Sequence, residues 1–283
     1  KHKSNFRDVD LVIYAHSWLN DTEGENVLNH NNLQIPNNLY KIGIINKEYV
    51  NLFEKINFFE KEKVDLLVTH NQELPQLCKT DLKIFFMPFG IDEDIYKYSN
   101  NKKIDLMFSG IMKPTHEHKY SKIRIKMYNK IFHNYWNFKL KKNKYKNLKI
   151  YWSDFNSYKG LLKDRIERLY RDSRISYAKK LTTSKFCFNT LSPSKIIGPR
   201  FFESIYSGAV PICHKSNSFS KIKNFKNCII EVEEDLSDFD EKFFYYINNH
   251  KIYRELSKKC YLFAKEHTWN NKIKNLMKSI KSN

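Results

Sequence analysis

The sequence predicts an α/β protein built as two Rossmann-like domains, each a parallel sheet with helices on both faces. Three observations carry that prediction. Short apolar, β-branched runs alternate with longer amphipathic stretches, the pattern of parallel strands joined by helical crossovers. The alternation breaks near residues 88–103, where Met87-Pro-Phe-Gly-Ile-Asp-Glu-Asp leads into the polar run Tyr98-Ser-Asn-Asn-Lys-Lys, which reads as a linker. The chain has 283 residues, 41% of them hydrophobic, enough for two cores.

Before the linker, Val9–Ala15, Lys41–Ile45, Val64–Thr69 and Lys83–Met87 read as buried strands, each followed by a turn or helical segment. Glu48–Glu62 places Val50, Phe53, Ile56 and Phe59 on one helical face. After the linker come strand Ile104–Ser109, helix Ser121–Tyr135, strand Leu148–Trp152 and a long helical stretch from Leu161 to Ser184. Strand Phe186–Thr190, helix Pro199–Ser207, strands Ala209–Cys213 and Cys228–Val232, and helices from Asp238 to Lys265 complete the series.

Composition removes several classes. No apolar run approaches the roughly 18 residues that span a bilayer, and the first residues carry no signal-peptide core. The chain opens on Lys1 rather than Met, as expected if a native segment precedes it. Five scattered cysteines (Cys78, Cys187, Cys213, Cys228, Cys260) without a CxxC predict reduced thiols in a cytosol-like compartment. The net charge is +19, yet only eight of the 50 Lys and Arg are Arg. Lys is therefore the default surface cation, as in AT-rich genomes, and an Arg is the more informative residue. Residues 1–105 hold 13 Lys and Arg against 16 Asp and Glu, and the remainder holds 37 against 15. The acid-free stretch 119–149, interleaved with aromatic residues, reads either as a face for an anionic membrane surface or polyanion, or as a solvated helix and loop.

The segment Ser184–His214 concentrates the chemistry. A buried strand runs into a loop of Ser192, Ser194 and Gly198, then Pro199 opens a helix in whose first turn Arg200 and Glu203 are expected. Free N–H groups of a helix start beside an Arg favour an anion, and the carboxyl ends of parallel strands are where ligands bind. Glu203 has the two oxygens to accept both hydroxyls of a ribose; otherwise it serves its own helix dipole and pairs with Arg200. Arg165, Arg168, Arg171 and Arg174 recur every third residue. They read either as a salt-bridged face with Asp164, Glu167 and Asp172, or as a series whose last member, Arg174, reaches an anionic ligand.

Ser184-Lys-Phe-Cys-Phe, Arg200, Phe202-Glu-Ser, Gly208 and Val210-Pro211 together resemble the donor-binding domain of GT-B glycosyltransferases, in particular the exostosin-like and spore-maturation (CgeB-like) families. Ile104-Asp-Leu-Met-Phe-Ser-Gly110 followed by Arg124, and Phe89-Gly-Ile-Asp92, are similar to further parts of that pattern. The resemblance covers roughly residues 85–270. It implies an interdomain cleft, an acceptor-side domain over 1–95, a nucleotide-sugar domain over 96–262, and a C-terminal helix over 263–283 that packs back on the first domain. It further implies a nucleotide-diphosphate sugar donor, most readily a UDP-sugar, and a glycan or glycoprotein hydroxyl as acceptor. Glu203 would bind the ribose, Arg200 the diphosphate with Arg124, Arg174, Ser194 and Lys195 nearby, and Gly110 would admit the donor close to the backbone. Retaining relatives carry a Glu eight residues before the ribose Glu; Lys195 stands there, which favours inversion. An inverting transferase needs a base, expected after the first strand: His16, with Asp21 second.

Asp8-x-Asp10, Asp92-x-Asp94 and Asp238-x-Asp240 match the metal-holding DxD pattern, but none follows a buried strand, so no metal and no further cofactor are expected. His116-x-His118 offers only two ligands. The expected setting is cytoplasmic, with peripheral membrane contact, and nucleic acid is not the expected partner. The rival readings are a DNA-modifying GT-B glucosyltransferase using the basic face, and a non-catalytic polyanion- or membrane-binding protein on the same scaffold.

Overall fold

The structure is a computed structural model that describes residues 8–15, 35–45, 48, 51–109, 119–132, 139–141, 144–153, 174–192 and 195–281. The chain forms two compact units, Lys1–Pro88 and Phe89–Asn283. His16, Asp21, Gly110, Ser194, the His116-x-His118 pair, Arg165, Arg168 and Arg171 lie outside the described residues, as do 133–138 and 142–143 of the basic stretch.

In the first unit β1 (Leu11–Ala15), β2 (Tyr40–Ile45), β3 (Leu66–Thr69) and β4 (Ile84–Phe86) form, among the described residues, a parallel sheet in the order β1-β2-β3-β4. β3 is buried throughout, as a Leu-Leu-Val-Thr run covered on both faces must be. Helix α1 (Leu52–Lys61) packs through Ile56 and Phe59. Gly43 of β2 is what lets it come close, since a Cβ there would stand 2.8 Å from Phe59 Cδ1. The helix starts later than its periodicity suggests, because Asn51 precedes it in the left-handed region at φ 49°. Phe53 consequently faces solvent at 69% exposure rather than joining Ile56 inside. A single turn (α2, Leu74–Leu77) precedes β4.

The second unit carries β5 (Ile104–Ser109), α3 (Lys119–Ile131), β6 (Ile150–Ser153), helical residues 174–182 (α4), β7 (Ser184–Phe188), α5 (Pro199–Tyr206), β8 (Val210–His214), β9 (Ile230–Val232), α6 (Phe239–Asn248), α7 (His250–Lys265) and α8 (Trp269–Lys281). Its strands, among the described residues, form a parallel sheet in the order β6-β5-β7-β8-β9. The polar stretch 89–103 is no loose tether: Tyr96 is 2% exposed, and Tyr98 stacks on Tyr261 of α7 at 4.3 Å. Ile91 pairs with Thr268, so this stretch belongs structurally to the second unit. α8, expected to return to the first domain, is grouped with the second unit as well.

Two packing features hold the site-bearing part in place. Trp152, Phe108 and Phe188 stand side by side on β6, β5 and β7, with ring centroids 4.1 and 5.5 Å apart, and Tyr128 of α3 meets Trp152 edge-on at 4.6 Å. Buried aromatic pairs of this kind contribute about 0.5–1.5 kcal/mol each beyond their area. On the other side α5 buries Phe201, Phe202 and Ile205 and ends at Gly208, whose φ of +75° lies in the left-handed region. His267, at the α7–α8 joint, rests on Phe202 and Phe263 at 5.3 and 4.3 Å. Its Nδ1 lies 2.7 Å from Lys272 Nζ, and burial, with the Lys272 charge adding, pushes the imidazole down to about 3. It accepts that hydrogen bond as a neutral ring.

Gly208→Ala tests this arrangement. A Cβ there would stand 2.7 Å from Tyr98 Cε2 in addition to the positive φ. The variant is expected to lose about 1–3 kcal/mol, read as a melting temperature several degrees lower by circular dichroism; an unchanged midpoint would contradict the packing described.

Candidate functional site

The site follows from the strand order. The chain leaves β5 through α3 toward β6 on one side, and leaves β7 through α5 toward β8 on the other. The crevice between the carboxyl ends of β5 and β7 is therefore a topological switch point, the usual ligand position in an open parallel sheet. Ser109 closes β5, and Asn189 and Thr190 follow β7 there.

Two arginines come to this point from opposite helices. Arg124 lies one turn before Tyr128 on α3, so the Tyr128–Trp152 contact positions it; its Nε donates to Thr190 Oγ1 at 2.8 Å. Arg200, second residue of α5, donates from Nη1 to the Ser109 carbonyl at 2.8 Å. Asn189 steadies the start of α5 by donating to the Arg200 carbonyl and to Ser204 Oγ. The two guanidiniums feel each other: burial first, then the Arg200 charge, lowers the Arg124 guanidinium to about 10. Placing like charges together in a partly desolvated crevice is unfavourable on its own and becomes favourable with a multiply charged anion between them. Among the described residues, a Cβ on Gly198, the cap before α5, would meet nothing within 4 Å.

Glu203 lies in the second turn of α5 rather than the first, which carries no acid. The Tyr96 hydroxyl hydrogen-bonds to its carboxylate, and Arg200 and Arg174 stand near. Burial nonetheless outweighs these favourable neighbours and raises its pKa above the usual carboxylate value. Arg174 pairs through Nη2 with Asp92 Oδ2 at 2.9 Å, an acid of the 89–103 stretch rather than one of the helix neighbours expected from spacing. Tyr177 places its hydroxyl in the same region, buried and without a hydrogen-bond partner among the described residues. Lys195 is exposed with φ 58° at the tip of a tight loop, where Ser192 Oγ accepts from the Ile196 N–H at 3.0 Å. The structure therefore gathers Arg124, Arg174, Arg200 and Glu203, and leaves Lys195 facing solvent.

Sequence reasoning missed Tyr96, Asp92 and Tyr177 as members of the cluster. A signal existed for the first two. Asp92 and Tyr96 are four residues apart and share one turn, the Tyr96 N–H donating to the Asp92 carbonyl at 3.0 Å. In the first unit the buried Glu48 was likewise passed over. Its carboxylate accepts from Thr69 Oγ1 at 2.9 Å, beside the carboxyl end of β3, and burial raises its pKa. Three of the six aspartates in the DxD patterns are engaged: Asp92 by Arg174, Asp238 by Lys242, and Asp240 by Tyr145 and Lys130. Among the described residues no three His, Cys, Asp or Glu side chains gather as a metal site, and no helix is long and apolar enough to cross a membrane.

The Glu203 shift has a consequence for stability. Its folded pKa lies above the unfolded value, so stability associated with the protonated form is full below the unfolded pKa and is lost as pH rises through the folded pKa. Glu203→Gln keeps the shape and removes that loss. Its melting temperature should match the native chain at acidic pH and exceed it above neutrality; equal pH dependence of the two would refute the buried-charge assignment.

No family model matches the chain, and no curated protein does. Solved structures do. The sucrose-phosphate synthase of Thermosynechococcus elongatus is 10% identical with a TM-score of 0.56, covering 87% of this chain and 68% of its own. Anabaena HepE in complex with UDP-glucose is 8% identical with a TM-score of 0.55, covering 87% and 73%. The pneumococcal O-GlcNAc transferase GtfA in complex with UDP and GlcNAc is 12% identical with a TM-score of 0.52, covering 87% and 53%. The present chain thus spans about half the length of the last. At these identities the likeness establishes architecture: two parallel α/β sheets in the manner of the GT-B glycosyltransferases.

Proposed function

We propose that this chain is a glycosyltransferase that moves a sugar from a nucleotide-diphosphate sugar to a glycan hydroxyl, without a metal and with inversion. The observation that carries the reading is the pair Arg124 and Arg200 at the β5–β7 switch point, with Glu203 one turn behind. The diphosphate fits the cationic pair, and the ribose hydroxyls would add donors to those the Glu203 carboxylate already has from Tyr96 and the nearby arginines. UDP is the first nucleotide to test, because neighbours of this fold are described with UDP or UDP-glucose bound. The exostosin-like subtype, the acceptor class and any peripheral membrane contact rest on the sequence resemblance and on the basic stretch 119–149.

In the proposed reaction the acceptor oxygen attacks the anomeric carbon as the bond to the diphosphate oxygen breaks. A base takes the acceptor proton, and the charge appearing on the diphosphate is met by Arg124 and Arg200. That supply of fixed positive charge, together with aspartates already committed to Arg174, Lys242 and Tyr145, supports a metal-free mechanism. Lys195 in place of a second Glu supports inversion. His16 is the proposed base and Asp21 the second candidate; Glu48, with its raised pKa, is a third group to test.

Calorimetric titration with UDP in EDTA should show binding. Arg200→Ala and Arg124→Ala should each weaken it about ten- to hundredfold, the loss of a charge-assisted phosphate contact worth about 1.5–3 kcal/mol. His16→Ala should keep UDP affinity and abolish transfer. Absence of binding by any nucleotide diphosphate would overturn the reading.

A further inference from the structure

A second cationic site stands at the opposite edge of the same sheet. Lys102 precedes β5 and Lys185 is the second residue of β7, so both lie at the amino ends of the strands whose carboxyl ends hold the arginine pair. With the first two turns of α7 they enclose a cavity of about 180 Å³, lined by Lys102, Lys185, His250, Tyr253, Arg254 and Ser257. Pockets for drug-sized ligands run to about 300–1,000 Å³, so this one suits a single compact group.

The lining carries no acid. The carboxylate of Asp105 is engaged by Lys185 Nζ at 2.7 Å and the Lys149 N–H at 2.8 Å. The floor is polar but internally satisfied, with Ser257 Oγ and Tyr253 Oη donating to the Gly208 carbonyl at 2.8 and 3.3 Å. Lys102 Nζ donates to the carbonyls of Thr182 and Ser207, at the carboxyl ends of α4 and α5, where helix dipoles favour a cation. No carboxylate among the described residues pairs with it, and burial pushes its ammonium down to about 7. Arg254 adds charge on the solvent side and His250 a ring, on the first turns of α7, whose cap Asn249 makes no side-chain capping bond.

We infer that this cavity is a binding site for a single phosphate-like dianion, separate from the donor site and facing the other edge of the sheet. Lys102 and Arg254 supply the charge, Lys185 being already paired with Asp105, and the volume admits one tetrahedral anionic group rather than a nucleotide. Such a ligand would be inorganic phosphate or the phosphate of a small ester.

The test uses sulfate as the probe, a dianion throughout the neutral range, with chloride at matched ionic strength as control. At about twenty times its Kd, sulfate should raise the melting temperature of the native chain by several degrees. Arg254→Glu, a surface change that leaves the core intact, should remove that rise while keeping the response to UDP. Lys102→Met should do the same if it folds. Arg200→Ala should keep the sulfate response, which separates this site from the donor site. Glycerol phosphate in place of sulfate should also stabilise the native chain and fail with Arg254→Glu. No rise with sulfate, or a rise that survives Arg254→Glu whether or not it survives Arg200→Ala, would overturn the inference.

Discussion

The reversal of strand order beside β5 is the constraint on which the second unit depends. Parallel strands need crossovers, and the crossovers from β5 and β7 run to opposite sides of the sheet. One crevice is thereby left open between two helices, α3 and α5, whose residues can face each other across it. The aromatic series Trp152–Phe108–Phe188 lies at that end of the sheet, and Tyr128 joins α3 to it. α5 is held from behind by Phe201, Phe202 and Ile205, all essentially inaccessible. Burying side chains of that size contributes about 1.5–3 kcal/mol each. That is ample to hold two guanidiniums where they would not gather by themselves.

Charge is placed in this unit against local preference at several points. Arg124 is destabilised as a cation by burial and by Arg200, and Glu203 is destabilised as an anion by burial although Tyr96 and two arginines surround it. Lys102 is desolvated with only backbone carbonyls for company. His267, by contrast, is buried between aromatic rings and stays neutral, so it costs little and holds α8 to α7. Charges disfavoured by burial and gathered at the strand ends are the physical basis for treating Arg124, Arg200 and Glu203 as ligand-binding groups.

Much of this was legible in the chain. Alternating apolar runs gave the elements, the strand–loop–helix pattern of 184–214 pointed to Arg200, the family resemblance to Arg124, and Arg174 stood as one of two readings of its helix. Pro199 and Gly208 delimited α5. Three things were not legible, each for a physical reason. The stretch 89–103 reads as a linker because its polarity is local, whereas its order comes from long-range contacts of Tyr96, Tyr98 and Lys102. Asp92 looked like half of a DxD pattern, and only the fold shows it facing Arg174. Phe53 was assigned inward by periodicity, which carries no information about the left-handed Asn51 that resets the start of α1.

The central claim is that a nucleotide diphosphate is read between α3 and α5 at the ends of β5 and β7. Hydrogen–deuterium exchange of the intact chain with and without UDP addresses it directly. The account predicts slowed exchange confined to peptides spanning the end of β5, the residues after β7 and the first turn of α5, with the sheet's opposite edge unchanged. Protection elsewhere, or none at saturating UDP, would contradict it.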